Sequence, residues 1–199
     1  MAYLTIQYPI SPSFWSKLKK SVGKYCSIMD DFKTKGPSDP GFQKKCDGFF
    51  RIRMGQEWRE QFYDLFSDYY SKKLKPDFSD VLKELYNRTC DPSNKCTRKE
   101  YCLAPSFASK MVHLFNPNLP IWDSKVMGKL GSICGPYKTN WSNEKKLTEA
   151  PKVYEKLVAW NQYYLRTQEA KANISDFHKQ IPGYEITQTK IIDFILWQL

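Results

Sequence analysis

Between Leu103 and Val126 the chain reads Leu-Ala-Pro-Ser-Phe-Ala-Ser-Lys-Met-Val-His-Leu-Phe-Asn-Pro-Asn-Leu-Pro-Ile-Trp-Asp-Ser-Lys-Val. Two of these residues can do chemistry together. Lys110 stands near the start of one helical stretch, Asp123 opens the next, and a Pro-bounded loop joins them. That order can bring an ammonium and a carboxylate to the mouth between two helices. Such a pair suits cleavage of an N-glycosidic bond. The carboxylate can stabilise an oxocarbenium-like sugar, or orient a water against C1′. A lysine whose pKa is lowered can instead attack C1′ itself. Each residue also has an ordinary reading: Asp123 as a helix N-cap and Lys110 as a solvated helix residue. His113, one turn beyond Lys110, reads as a packed or hydrogen-bonded histidine. Trp122 reads as core, or as an aromatic lining a base pocket beside the aspartate.

The same segment resembles the helix-hairpin-helix base-excision DNA glycosylases. In that family a hairpin of the form Leu-Pro-Gly-Val-Gly-x-Lys-Thr-Ala precedes a helix, and a later Val-Asp-Thr-His-Val carries the catalytic aspartate. Leu103 to Lys110 resembles the hairpin, and Trp122-Asp123-Ser124-Lys125-Val126 resembles the aspartate motif. The resemblance implies that Asp123 is catalytic and that Lys110 lies where bifunctional members carry a Schiff-base lysine. It places Ser106, Phe107, His113, Trp122 and Lys125 as substrate-binding candidates. The chain departs from the pattern in two ways. The family's hairpin glycines let backbone N–H groups approach a DNA phosphate; here Ser106, Phe107 and Ala108 replace them. The spacing from lysine to aspartate is also shorter. The implied activity is removal of a flipped, modified base from double-stranded DNA by a monomer without a cofactor. The implied substrates are alkylated or oxidised bases, or a bulky base such as glucosylated hydroxymethylcytosine removed from viral DNA in antiviral defence. The iron–sulfur cysteines that some members carry after the aspartate are absent.

The elements that must position these residues follow from periodicity and punctuation. Trp58, Phe62, Leu65, Phe66 and Tyr69 recur at helical spacing and predict a helix from Gly55 to about Lys75, stopped by Pro76. A second covers Ser79–Arg88, and Asp91–Asn94 reads as a turn. Ser106 is the expected N-cap of a helix with Phe107, Met111, Leu114 and Phe115 on one face. Asp123 is the expected N-cap of Ser124–Leu130, with Gly131 just past its end. Pro151 is expected to open a long helix carrying Val153, Leu157, Trp160 and Tyr164, after a loop to Glu149. Ile191, Ile192, Ile195, Leu196 and Leu199 form the stripe of a closing helix. Residues 1–54 read as an irregular basic segment with a short helix over Ser13–Ser27 and an exposed loop over Thr34–Gly41. The fold class expected is mainly α: a helix-hairpin-helix glycosylase-like bundle over residues 55–199, with the small irregular N-terminal part packed on it.

Charge and composition point to the partner. The 199 residues carry a net charge of +10. From Lys17 to Arg53 there are ten basic and four acidic residues, interleaved with Phe14, Trp15, Tyr25, Phe42, Phe49 and Phe50. A basic stretch threaded with aromatics suits a polyanion; the alternative is a lysine-rich soluble surface. At 16% aromatic, the chain has rings to spare for stacking on bases. Six cysteines are present, and the x5, x5 spacing of Cys90, Cys96 and Cys102 matches neither a zinc nor an iron–sulfur pattern, so no metal is expected. No signal peptide or membrane-length apolar run is evident, so the expected setting is a reducing cytoplasm with free thiols. The competing function is a non-catalytic nucleic-acid-binding module on the same fold. It would need the basic face but not Asp123.

Overall fold

The structure is a computed structural model that describes residues 11–89 and 103–199. These residues form nine α-helices and no strand. They are α1 (Pro12–Lys35), α2 (Pro40–Phe50), α3 (Gln56–Ser71), α4 (Phe78–Thr89), α5 (Pro105–Phe115), α6 (Ser124–Cys134), α7 (Asn143–Tyr164), α8 (Gln168–Gln180) and α9 (Gln188–Gln198). The mainly α expectation therefore holds. The expected turn at Asp91–Asn94 and Cys90, Cys96 and Cys102 lie outside the described residues, whereas the hairpin-like stretch Leu103–Lys110 is described and is part of α5 from Pro105 onward.

The N-terminal expectation needs correction, because residues 12–50 are mostly helix. In α1, Phe14, Trp15, Leu18, Val22, Tyr25, Ile28, Met29 and Phe32 are all buried, which is one helical face with lysines opposite. Pro12 and Pro40 open helices rather than break them. Pro12 follows the N-cap Ser11, whose Oγ accepts from Phe14 N, and Pro40 follows Asp39, whose carboxylate accepts from Phe42 N at 2.7 Å. Proline at the first helical position costs no hydrogen bond, since that N–H is unpaired anyway. Only Gly36–Asp39 connects the two helices.

Several boundaries also move. Helix α5 starts at Pro105, with Ala104 rather than Ser106 as its cap. Helix α6 runs past Gly131 to Cys134 and ends at Gly135, whose φ of 90° is a conformation L-residues rarely adopt. Helix α7 begins at Asn143, capped by Ser142, and contains Pro151 in its interior. Helix α8 was not expected; it turns Ala170, Asn173, Ile174 and Phe177 inward.

One hydrophobic cluster extends from Phe14 to Leu196. Helix α1 packs on α2 and α9, α4 on α3, α5 and α7, α6 on α7 and α9, and α8 on α9. Two helices are central. Residues Ala108–Leu114 of α5 and Thr189–Leu196 of α9 are buried without interruption. Much of the aromatic surplus is core: Phe32, Phe42, Phe66 and Phe115 pack ring on ring at 5.2–5.9 Å between centroids. Such contacts tie α1, α2, α3 and α5 together, at about 0.5–1.5 kcal/mol per pair beyond burial.

Candidate active site

The loop from Asn116 to Asp123 fixes the site. Its carbonyls are held one after another by side chains from surrounding helices. Pro117 O accepts from Thr187 Oγ1 at 2.6 Å, Asn118 O from Thr189 Oγ1 at 3.2 Å and Pro120 O from Tyr154 Oη at 2.9 Å. The imidazole of His113 bonds Leu119 O at 2.6 Å through Nδ1. Trp122 N donates to Ser109 Oγ at 2.9 Å, and that hydroxyl donates to Ser106 O at 3.0 Å. With its polar groups matched this way the loop can bury Pro120, Ile121 and Trp122 while Asn116 and Asn118 stay exposed. It delivers Asp123 to the first turn of α6, where Oδ1 accepts from Lys125 N at 2.8 Å. Helix-terminal N–H groups favour negative charge there.

Asp123 and Lys110 line the same cleft, a cavity of about 550 Å³ among α1, α2, α5, α9 and the start of α6. The cleft also draws on Phe49 and Phe50 at the end of α2, Arg51 beyond it, and Phe194 and Trp197 of α9. Its lining contains six basic residues (Lys24, Lys44, Lys45, Arg51, Lys110, Lys190) and two acidic ones (Asp123, Asp193). Lys24, Lys44 and Arg51 are exposed. Arg51 and Lys125 both place their charge over the Trp197 ring, at 5.4 and 4.5 Å from its centroid.

Lys110 is buried. Its ammonium donates to Phe50 O at 3.0 Å and lies 4.9 Å from the centre of the Phe107 ring. Burial pushes its pKa below the usual lysine range, against the pull of Asp123. The deeper charges are Lys190 and Asp193, 2.6 Å apart on α9. Tyr25, Phe49, Phe50 and Phe194 surround the Lys190 ammonium at 4.6–5.9 Å. Burial raises the Asp193 pKa, and Lys190 opposes that rise.

The remaining sequence candidates stand behind the wall or on the rim. His113 is fully buried. With Nδ1–H donated to Leu119 O, its Nε2 accepts from Tyr25 Oη at 2.9 Å. It is a structural residue, not a substrate contact. Trp122 is core, stacked parallel to Phe78 at 6.2 Å and edge-on to Tyr137 at 5.1 Å. Phe107 packs on Trp58 at 4.9 Å and supports Lys110 from below. Neither Ser106 nor Phe107 lines the cleft, whereas Lys125 reaches its edge through Trp197. Sequence reading missed Arg51, Lys190, Asp193 and Trp197. The signal for two of them was present: a lysine and an aspartate three apart flanking and interrupting the apolar run of the closing helix.

Among the described residues no group of His, Cys, Asp and Glu could hold a metal ion, and Cys26, Cys46 and Cys134 are free thiols. No helix among them is long and apolar enough to cross a membrane. Comparison of the chain with protein families, with curated proteins and with solved structures finds no match.

Proposed function

We propose that this chain is a DNA glycosylase of the helix-hairpin-helix kind, which flips a modified base out of duplex DNA and hydrolyses its N-glycosidic bond. The observation that carries the reading is that Asp123 and Lys110, from different helices, line one cleft with basic edges and aromatic walls. The exposed Lys24, Lys44 and Arg51 neutralise phosphates, and the base enters beside Phe49, Phe50 and Phe194. A cavity of about 550 Å³ has room for a base with a substituent. At the helix N-terminus, Asp123 stabilises the positive charge developing on the sugar and orients water toward C1′. Lys110 is committed to the Phe50 carbonyl and the Phe107 ring. That favours hydrolysis by water over a lysine adduct.

The test is base release from duplexes carrying different modified bases, read as abasic sites. Asp123→Asn should lower release by roughly 10²–10³-fold. Asparagine caps a helix about as well as aspartate, so the fold and DNA binding should persist. Borohydride should trap no protein–DNA adduct. Full activity in Asp123→Asn would remove the glycosylase reading. DNA binding without release from any duplex would leave a binding module in its place.

A further inference from the structure

Helix α2 ends in a turn that glycine would serve better. Ile52 N donates to Asp47 O at 3.0 Å, which reverses the chain and sends Ile52 into the core. The turn needs a left-handed residue at position 51, and Arg51 supplies it with φ 54° and ψ 48°. It is one of two non-glycine residues with positive φ among the described residues. A side chain there costs stability that glycine would not. The fold therefore accounts for the turn and not for the arginine.

Arg51 lines the cleft instead. Lys110 donates to Phe50 O, the carbonyl of the peptide that joins Phe50 to Arg51, and so pins the backbone from which that side chain leaves. The guanidinium lies 5.4 Å from the centre of the Trp197 ring, and the Lys125 ammonium lies 4.5 Å from the same point. Arg51 and Lys125 are exposed, and neither side chain forms an ion pair or a hydrogen bond with a described residue. An indole attracts cations without neutralising them. Two charges that repel each other are thus gathered on one half-buried ring, with no carboxylate paired to either. An anion bound to both would relieve that repulsion.

The position says which anion. Lys125 stands two residues after Asp123, and its backbone N–H donates to the Asp123 carboxylate at 2.8 Å. Arg51 and Trp197 line the cleft that Asp123 and Lys110 share. A nucleoside whose C1′ faces Asp123 carries its own phosphates only a few bonds away. Guanidinium and ammonium groups both suit phosphate oxygens, the guanidinium through two parallel N–H bonds.

We propose that Arg51, Lys125 and Trp197 form a clamp for the DNA phosphodiester next to the extruded nucleotide. The inference rests on the glycosylase reading and deepens it. Lys24 and Lys44 hold any duplex, whereas the clamp engages only a backbone drawn toward the cleft. The indole sets the spacing of the two cations, and the left-handed turn at Arg51 directs the guanidinium to it. Strain kept at a residue that the fold does not require is strain kept for binding.

The experiment is equilibrium binding to a duplex with one tetrahydrofuran abasic site, compared with the intact duplex. The analogue mimics an extruded nucleotide but has no base, so only the backbone can be gripped. The wild type should bind it roughly tenfold tighter than the intact duplex. Arg51→Gly and Lys125→Gln should each reduce that preference and together abolish it, with little change on the intact duplex. Lys24→Gln with Lys44→Gln should weaken both duplexes alike. A neutral methylphosphonate at the 5′ or the 3′ flank of the abasic site should remove the wild-type preference and cost the Arg51→Gly, Lys125→Gln double variant nothing further. The urea midpoint of Arg51→Gly should not fall, because glycine relieves the turn. A lower midpoint would make Arg51 a structural residue and overturn the clamp. So would an unchanged preference in the double variant, equal losses on both duplexes, or no effect of methylphosphonate at either flank. Any of these leaves base release by Asp123 standing. A wild type that shows the clamp's effects but releases no base from any duplex would overturn the glycosylase reading and keep the clamp as part of a binding module.

Discussion

His113 is the residue on which the placement of Asp123 most visibly depends. It donates to Leu119 O and accepts from Tyr25 Oη, and the accepting nitrogen is available only while the ring is neutral. Burial pushes its pKa down to about 3, the nearby Lys190 adds to that, and the Leu119 carbonyl opposes it. An unfolded histidine titrates near 6.5. Between about pH 6.5 and 3, then, the unfolded chain takes up a proton that the folded chain refuses. Stability must fall as pH falls through that window, by up to about 1.4 kcal/mol per pH unit. Urea midpoints measured from pH 7 to 4.5 should decline. In His113→Gln, which begins less stable at pH 7, the decline should be shallower, so that the two curves converge. Parallel curves would mean that another group sets the acid sensitivity. Asp31 is not that group, because Lys45 and Lys35 hold its pKa below the usual carboxylate range, under the window measured.

At the level of the helix, the sequence was legible where apolar spacing and caps agreed and misleading where one residue type has two meanings. Helices α3 and α4, the cap at Asp123 and the closing helix α9 follow from pattern alone. Helix α1 carries an equally regular face, but its four lysines between Lys17 and Lys24 and the flanking prolines disguise it as irregular basic chain. Pro151 looks like a helix start and is interior; Gly131 looks like a helix end and is interior too. Half of the candidate site was legible, Lys110 and Asp123, because both sit in one continuous segment. The other half, Lys190 and Asp193, reaches the cleft only because α9 threads the middle of the bundle, a long-range fact that no local pattern records. The two glycines of α6 test the boundary directly. Gly131 has open space where a Cβ would go, so Gly131→Ala should stabilise by about 0.5–1 kcal/mol. Gly135 has a φ of 90°, so Gly135→Ala should destabilise by about 1–3 kcal/mol. Thermal or urea unfolding of the two variants should move in opposite directions. The reverse pair of signs would put the end of α6 at Gly131.

Across the whole molecule, the charge excess first seen as a stretch of sequence becomes a surface. Lys17, Lys19, Lys20 and Lys24 lie on the exposed face of α1, and Lys44, Lys45 and Arg51 on or just beyond α2, which packs against it. Lys45 is partly committed, to Asp31 and Ser27. Lys24, Lys44 and Arg51 border the cleft itself. If these residues hold the backbone of a duplex while a base enters, each phosphate neutralised releases counterions. The logarithm of the binding constant should then fall linearly with the logarithm of salt concentration, by about 0.9 per contact. Replacing Lys24 and Lys44 together by Gln should therefore weaken binding for every sequence alike and make the slope shallower by about 2. Lys171 and Lys179 of α8 are equally exposed and charged but do not border the cleft. Replacing both by Gln alters the net charge by the same amount and should leave the slope where it was. Equal effects from the two double variants would mean that binding follows total charge, and that the α1–α2 face is a soluble surface rather than a track for DNA.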